Sequence, residues 1–230
     1  MGHSETWALV PVKKFSRAKS RLGDVLYAPE RAELAQAMLR DVLQSLNAAR
    51  TVDGIAVVSS DLDALAIAKS FGAAAIFDPA EAGVNKAVQF GLDAFEIYDR
   101  RVMIVPADIP FAASRDFENV VELLNHTPIV LVPALYDGGT NALAMRSPRL
   151  LQPQFGEDSF RRHRSTARAR DLGVSVLKSD GIGKDIDCPL DFGPYLLASQ
   201  DRGMTRSFVD QINIAERFGV EDAPAPVRLF

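Results

Sequence analysis

Val102-Met103-Ile104-Val105-Pro106-Ala107-Asp108-Ile109-Pro110 is the stretch that decides the fold. Four apolar residues in a row, three of them β-branched, make a short strand buried on both faces, because a strand with one wet face would alternate apolar and polar side chains. The proline that follows cannot donate to a sheet ladder, so the strand stops there. The chain then presents an acid, Asp108, framed by Pro106 and Pro110. The same pattern recurs outward from this point. Upstream lie an apolar strand over residues 7–12 and a helix beginning near Pro29, in which Leu34, Met38, Leu39, Val42, Leu43 and Leu46 return at three- and four-residue steps. A strand over 55–59 follows, then a helix capped by Asp61 and stopped by Gly72, a less apolar strand over 73–77, and a helix over 84–98. Downstream come a helix over 114–125 and a strand over 129–132. Strands separated by helices predict a parallel sheet covered on both sides through right-handed crossovers, an α/β three-layer sandwich.

Beyond Leu135 the alternation becomes irregular. The sequence predicts a glycine-containing loop over 137–141, an arginine-rich helix over 159–172, a strand over 174–177 and a loop over 184–189. Phe208, Ile212, Ala215 and Gly219 space like one helix face, and Ala223-Pro224-Ala225-Pro226 opens a tail. That face would cover either the chain's own core or a second copy, which would make a homodimer. The expected organisation is a single domain over 1–200 with a C-terminal helix and tail over 201–230.

With 230 residues, 47% hydrophobic and 24% charged, the chain suits one globular domain. A net charge of −4 argues against a nucleic-acid coat or a polybasic membrane binder. One cysteine, Cys188, excludes an internal disulfide framework and fits a reducing, cytoplasmic setting. No apolar run approaches the roughly 20 residues of a membrane-spanning helix. The first residues lack a secretory h-region, and the match of Gly2 and Thr6 to the acylation pattern is too short to carry weight.

The mean charge conceals a local pattern. Lys13, Lys14, Arg17, Lys19 and Arg21 form one acid-free basic run, and Arg161, Arg162, Arg164, Arg168 and Arg170 form another. The remaining 16 basic and 30 acidic residues sum to −14. A charge run by itself is most often a solvated face, so its neighbours decide. Ligands of open parallel sheets collect at the carboxyl ends of the strands. The first run follows strand one, where its cations can converge on a polyphosphate. It is not a P-loop, since Gly23 is the only glycine between strand and helix, and no G-x-G-x-x-G occurs there. Asp108 at its strand end can bind Mg²⁺ or merely cap a turn. Asp185-Ile186-Asp187, if extended, points two carboxylates to one face, where they suit a cation. Together these make a nucleoside triphosphate site with Mg²⁺ between phosphates and aspartates, where positioning and charge neutralisation suffice for phosphoryl chemistry. His3, His126 and His163 share no zinc-ligand spacing, and Cys188 reads as a turn residue.

At these residues the sequence resembles the guanylyltransferases of coenzyme F420 biosynthesis, in the nucleotidyltransferase superfamily that also holds the molybdenum-cofactor guanylyltransferases. The stretches that carry the resemblance are Val10-Pro-Val-Lys-Lys-Phe-Ser-Arg-Ala-Lys-Ser-Arg-Leu22, Gly83-Val-Asn-Lys-Ala87, Pro106-Ala-Asp-Ile-Pro110, Asp137-Gly-Gly-Thr-Asn-Ala-Leu143, Phe155-Gly-Glu-Asp-Ser-Phe-Arg-Arg-His163 and Asp185-Ile-Asp-Cys-Pro189. The resemblance implies a Rossmann-like, mostly parallel sheet of the nucleotidyltransferase (GT-A-like) type. It also implies a GTP-dependent transfer in which the phosphate of a small phosphorylated acid attacks the α-phosphorus and pyrophosphate leaves. Carried over, Lys13, Arg17, Lys19, Arg21 and Asn85 would bind the nucleotide, with Lys19 and Asp108 catalytic and Asp108 and Asp187 on Mg²⁺. Thr140, Gly156, Ser159 and Arg162 would hold the acid, and His163 would either orient one of its phosphate oxygens or serve in packing. A backbone N–H at Gly156 and two hydroxyls suit a phosphate or carboxylate. The partners are GTP and the acid, with neither nucleic acid nor membrane.

Three positions depart from the pattern: Lys14 stands where proline is common, Val84 where leucine is, and Cys188 where threonine is. The last removes a hydroxyl beside the expected metal acid. Relatives use 2-phospho-L-lactate, phosphoenolpyruvate or 3-phospho-D-glycerate, and the N-terminal wording ranks the last two first. Transfer to a molybdopterin or sugar phosphate, or a non-catalytic nucleotide-binding module, are the other readings. Against the first stand the Ser159-Phe-Arg-Arg-His163 segment and the absence of a glycine-rich first loop.

Overall fold

The computed structural model describes residues 4–94, 100–193 and 203–217. Its elements are β1 (Thr6–Val12), α1 (Ala28–Ala48), β2 (Gly54–Ser59), α2 (Leu62–Ser70), β3 (Ala74–Phe77), α3 (Val84–Ala94), β4 (Arg101–Ile104), α4 (Ser114–Leu124), β5 (Ile129–Pro133), β6 (Thr140–Met145), α5 (Ser159–Ala169), β7 (Val174–Val176), α6 (Asp180–Gly183) and α7 (Met204–Gln211). Seven strands form one sheet in the order β3-β2-β1-β4-β6-β5-β7. The pairs β1–β2, β1–β4, β2–β3 and β5–β7 are parallel, whereas β6 is antiparallel to both of its neighbours. Six strands therefore point one way and β6 alone opposes them.

The loop expected over 137–141 gives way to β6 at Thr140. Glycine closes the turn, with Gly138 at φ 72, and the chain enters the sheet between β4 and β5. A tight turn suffices here because an antiparallel neighbour needs no crossover. All six residues of β6 are buried, so the strand has no polar alternation to betray it, and its Thr-Asn start reads like loop.

Alternation in the strands divides the core. Ala8, Val10, Val57, Met103 and Val130 face α1, α2 and α4, while Leu9, Val58, Ile104, Leu131 and Leu143 face α3 and α5. Successive strand residues point to opposite faces, and the parallel strands read as unbroken apolar runs because both faces are covered. The chain steps outward from β1 to β2 to β3 and then returns to place β4 on the other side of β1. That reversal opens a crevice at the carboxyl ends of β1 and β4, the place where ligands bind in such sheets.

The expected C-terminal helix face is broken. α7 ends at Gln211, Asn213 takes φ 49, and a short turn follows at Ile214–Arg217; Phe218, Gly219 and the tail lie outside the described residues, as do 95–98 of the helix expected over 84–98. Phe208, Val209 and Ile214 pack with Leu34 and Met38 of α1 and with Ile186 and Phe192. The described part of that face, Phe208 and Ile212, thus packs on the chain's own core. Among the described residues no helix is long and apolar enough to cross a membrane. Asp41 of α1 fixes the start of α7 by accepting the backbone N–H groups of Met204 at 2.7 Å and Thr205 at 2.8 Å. Asp41→Ala orphans both donors, so unfolding in denaturant should show a loss of about 1–2 kcal/mol, with faster amide exchange concentrated in 204–211.

Candidate active site

At the carboxyl edge of the sheet lies a cavity of about 960 Å³, within the range of small-molecule sites. The basic segment after β1 forms one wall and is pinned at two points. Phe15 and Leu22 are buried, and the Phe15 N–H donates to Asp61 Oδ2 at 2.8 Å while Asp61 Oδ1 caps α2. The stretch between the pins is free to turn its cations inward. Lys14 pairs with Glu81 at 3.1 Å, and the exposed Arg17 lies 3.9 Å from the same carboxylate, so these two are held at the rim. Lys13 and Arg21 line the cavity with no carboxylate of the described residues paired to them.

Lys19 sits at the centre. Its backbone takes φ 53 and ψ 39, a left-handed conformation that an L-residue adopts at a cost. Its ammonium lies 2.6 Å from Asp108 Oδ2 and 2.6 Å from Asp187 Oδ1, with the lysine side chain 6% exposed. Burial pulls the ammonium down, but the two carboxylates outweigh it and hold it above its ordinary value. For Asp187, burial pushes up, and Lys19, with Arg21 and Lys13 behind it, more than reverses the effect. Asp108 follows β4. The other acid arrives through the main chain: Ile186 N–H donates to Asp108 C=O at 3.1 Å and the Ile186 side chain is buried, which leaves Asp185 and Asp187 on the cavity side. Burial, with Asp108 next, raises Asp185 to about 6, and Asn141 Nδ2 donates to it at 3.3 Å.

Two carboxylates thus hold the ammonium, with Asp185 close to both of them, a floor short of positive charge. Among the described residues no group of three or more His, Cys, Asp or Glu is arranged to cage a metal. The donor chemistry nevertheless fits Mg²⁺, which binds through one or two carboxylates and completes its shell with waters and substrate phosphates. Cys188 stands in a turn whose N–H, with that of Asp187, donates to Asp191 Oδ2, and burial pushes its thiol up, away from nucleophilic use.

The facing wall is built from β6, α5 and the segment before it. Because β6 is reversed, its first residues, Thr140 and Asn141, lie at the same edge as the ends of the other strands. Thr140 Oγ1 is 3.2 Å from Ser159 Oγ at the start of α5. Gly156, at φ 113, brings backbone to the cavity in a conformation that side-chain-bearing residues rarely adopt.

Nine of the twelve residues expected at the site therefore line one cavity: Lys13, Arg17, Lys19, Arg21, Asp108, Thr140, Gly156, Ser159 and Asp187. Three do not. Asn85, expected on the nucleotide, has both amide atoms engaged by the backbone of Phe155, accepting from its N–H at 2.7 Å and donating to its C=O at 3.1 Å. Arg162, expected on the acid, is exposed and donates to Gln154 C=O at 3.1 Å. His163 is fully buried; Nδ1 lies 3.1 Å from Thr140 Oγ1 and Nε2 accepts from Gln154 N–H at 3.0 Å. All three bond to the segment that carries Gly156 or to its neighbours, Asn85 and His163 from within the wall and Arg162 from its exposed side. The second basic run likewise points elsewhere: Arg161 pairs with Asp158, Arg164 stacks over Phe160, and Arg170 donates to Leu150 C=O. Sequence reasoning did not single out Glu81, Asn141 or Gln154; only Asn141, inside a quoted stretch, carried any signal.

Comparison with known proteins gives the family. The family model "Guanylyl transferase CofC like" matches residues 6–225. A phosphoenolpyruvate guanylyltransferase of Sphaerobacter thermophilus is 40% identical over 81% of this chain and 90% of its own. A 2-phospho-L-lactate guanylyltransferase of Methanothermobacter thermautotrophicus is 37% identical over 84% and 85%, and a 3-phospho-D-glycerate guanylyltransferase of Phenylobacterium zucineum is 36% identical over 80% and 86%. A crystal structure of a putative nucleotide-diphospho-sugar transferase from Desulfovibrio desulfuricans shares the fold, with a TM-score of 0.76 at 22% identity over 93% of this chain and 98% of that one.

Burial, with Arg162 nearby, holds His163 at about 4 against its usual 6.5. The unfolded chain takes up this proton near pH 6.5 and the folded chain only near 4, so His163 should cost stability as pH falls through that window, reaching about 3 kcal/mol. Asp185, raised to about 6, carries the opposite sign, so the quantity to measure is the difference between wild type and His163→Asn. Their denaturation midpoints should converge as pH falls from 6.5 to 4; parallel curves would place the titration elsewhere.

Proposed function

The chain belongs to the CofC-like guanylyl transferase family, and from that premise we propose that it transfers GMP from GTP to the phosphate of a small phosphorylated carboxylic acid in coenzyme F420 biosynthesis. The observation that carries the reading is the convergence, in one cavity, of a cationic wall, paired aspartates and a hydroxyl-bearing wall. Lys13, Arg21 and Lys19 supply charge to the triphosphate, and Thr140, Ser159 and the Gly156 N–H receive the acid. The acid's phosphate oxygen attacks the α-phosphorus, the bond from that phosphorus to the bridging oxygen of the β-phosphate breaks, and pyrophosphate departs with the bonding pair.

Asp108 and Asp187 would hold Mg²⁺, which when bound supplies charge neutralisation at the phosphates and alignment of the departing pyrophosphate. With those carboxylates so engaged, the Lys19 ammonium is free to turn to phosphate oxygens. No nucleophilic side chain is required, because positioning and electrostatics account for most of this chemistry.

For the acid, 3-phospho-D-glycerate and phosphoenolpyruvate rank above 2-phospho-L-lactate. The first-named relative acts by its name on phosphoenolpyruvate and is 40% identical. Pyrophosphate release with GTP, Mg²⁺ and each of the three acids should be clear with at least one; silence with all three sinks the reading. Asp108→Asn should lower turnover by about 100-fold or more, as the loss of a preorganised electrostatic group does elsewhere. Lys13→Ala and Arg21→Ala should each raise the KM for GTP about tenfold, the worth of a charge-assisted hydrogen bond, and leave the melting temperature nearly unchanged.

A further inference from the structure

The backbone N–H of Gln154 can only donate, and its acceptor at 3.0 Å is His163 Nε2. That nitrogen must therefore carry a lone pair. In a neutral ring the proton then sits on Nδ1, which faces Thr140 Oγ1 at 3.1 Å. Thr140 accepts this hydrogen bond, and its hydroxyl is also 3.2 Å from that of Ser159. The two hydroxyls own two protons. One is used between them, and the other has no acceptor in the wall among the described residues, so the pair can donate outward. The opposite tautomer would turn Nδ1 into an acceptor facing Thr140 and draw a proton from the pair.

We infer that His163, which touches no ligand, sets the proton arrangement that makes the Thr140–Ser159 pair a donor to an oxyanion in the cavity. The inference rests on the proposed function for the identity of that oxyanion, a carboxylate or phosphate of the acid. The same ring ties the hydroxyl pair to the backbone segment that presents Gly156. Gln154 N–H is on Nε2, the Phe155 ring meets the imidazole edge-on at 5.3 Å, and Asn85 holds the Phe155 backbone from α3. Burial keeps the ring neutral throughout the working range, which protects this arrangement. His163 is thus a positioning residue for the acid side of the site, with no call on the nucleotide side.

The test compares wild type with His163→Phe, which keeps an aromatic ring and loses both hydrogen bonds, and with His163→Asn, which substitutes a smaller amide should the first variant fold poorly. Pyrophosphate release is measured with the acid varied at saturating GTP and with GTP varied at saturating acid. The KM for the acid should rise about tenfold or more while that for GTP stays within about twofold, and adding Thr140→Val to the His163 variant should cost little more, because the two side chains act as one unit. A purely structural role would move both KM values together or only the melting temperature, and either outcome overturns the inference, as does a full further loss on adding Thr140→Val. Nitrogen-15 NMR of the wild-type imidazole supplies a readout that needs no turnover: Nδ1 should be protonated and Nε2 not, and the reverse overturns the inference. If wild type releases no pyrophosphate with any acid, the functional reading has failed, and the tautomer still decides the proton arrangement on its own.

Discussion

An ammonium held 2.6 Å from each of two carboxylates is the contact on which the site's geometry depends. Lys19 comes from the segment after β1, Asp108 from the end of β4, and Asp187 from a loop nearly eighty residues further on. The Ile186 main chain brings Asp108, Asp185 and Asp187 into one partly dry space, where unpaired carboxylates repel each other and lose hydration. The lysine answers that repulsion at the cost of a left-handed backbone and of burying its own charge. Such a partly buried pair is seldom a net gain in stability, yet removing a carboxylate leaves the buried ammonium less compensated. The arrangement is better understood as positioning: the acids are held in place before any ligand arrives.

The second constraint is the reversed strand. A sheet of parallel strands alone would offer only strand ends and the loops that follow them at the ligand edge. By running β6 against its neighbours, the fold places a strand's first residues there, and those residues are anchored in the sheet. Thr140 and Asn141 are consequently as rigid as core residues, both 7% exposed. Groups on regular elements hold their geometry better than groups on loops, and the acid wall gains from that. The segment at Gly156 has no such anchor of its own, so Asn85, Arg162 and His163 secure it from two helices.

Much of this was legible in the residues. Strands one to five and helices one to four follow from apolar periodicity, from the Asp61 cap and from Gly72, within a few residues at each end. The acid-apolar-acid step at 185–187 was read as two carboxylates on one face, and buried Ile186 gives the physical reason. What the sequence withheld is of two kinds. β6 has no period to read, because every residue in it is buried, and its entry turn looks like any glycine loop. For Asn85, Arg162 and His163, a motif shows that a residue type matters but is silent on whether its polar atoms reach a ligand or the backbone that carries the ligand's contacts. The hydrogen-bond partners bear on those cases: Asn85 and His163 are bonded within the wall, and the exposed Arg162 donates to a carbonyl of the same segment. Asp41 was equally hidden, since its partners at 204 and 205 are more than 160 positions away.

The charge pattern acquires its meaning from the same accounting of partners. Ten basic residues in two runs suggest a strong positive field, but the runs are not equivalent. In the second run Arg161 is paired, Arg164 is stacked, and Arg162 and Arg170 are bonded to carbonyls, while Arg161, Arg164 and Arg168 border a separate surface depression away from the cavity. In the first run Glu81 neutralises Lys14 and Arg17 at the rim, and Lys19 is answered by two aspartates. Lys13 and Arg21 remain without a paired acid among the described residues, exposed along the cavity of a protein that is otherwise acidic. A surrounding negative surface screens and disfavours long polyanions such as nucleic acid, while two converging cations inside a walled cavity still attract a compact one. Selectivity for a small polyanion therefore arises from where the unpaired charges lie, and a net charge of −4 is compatible with it.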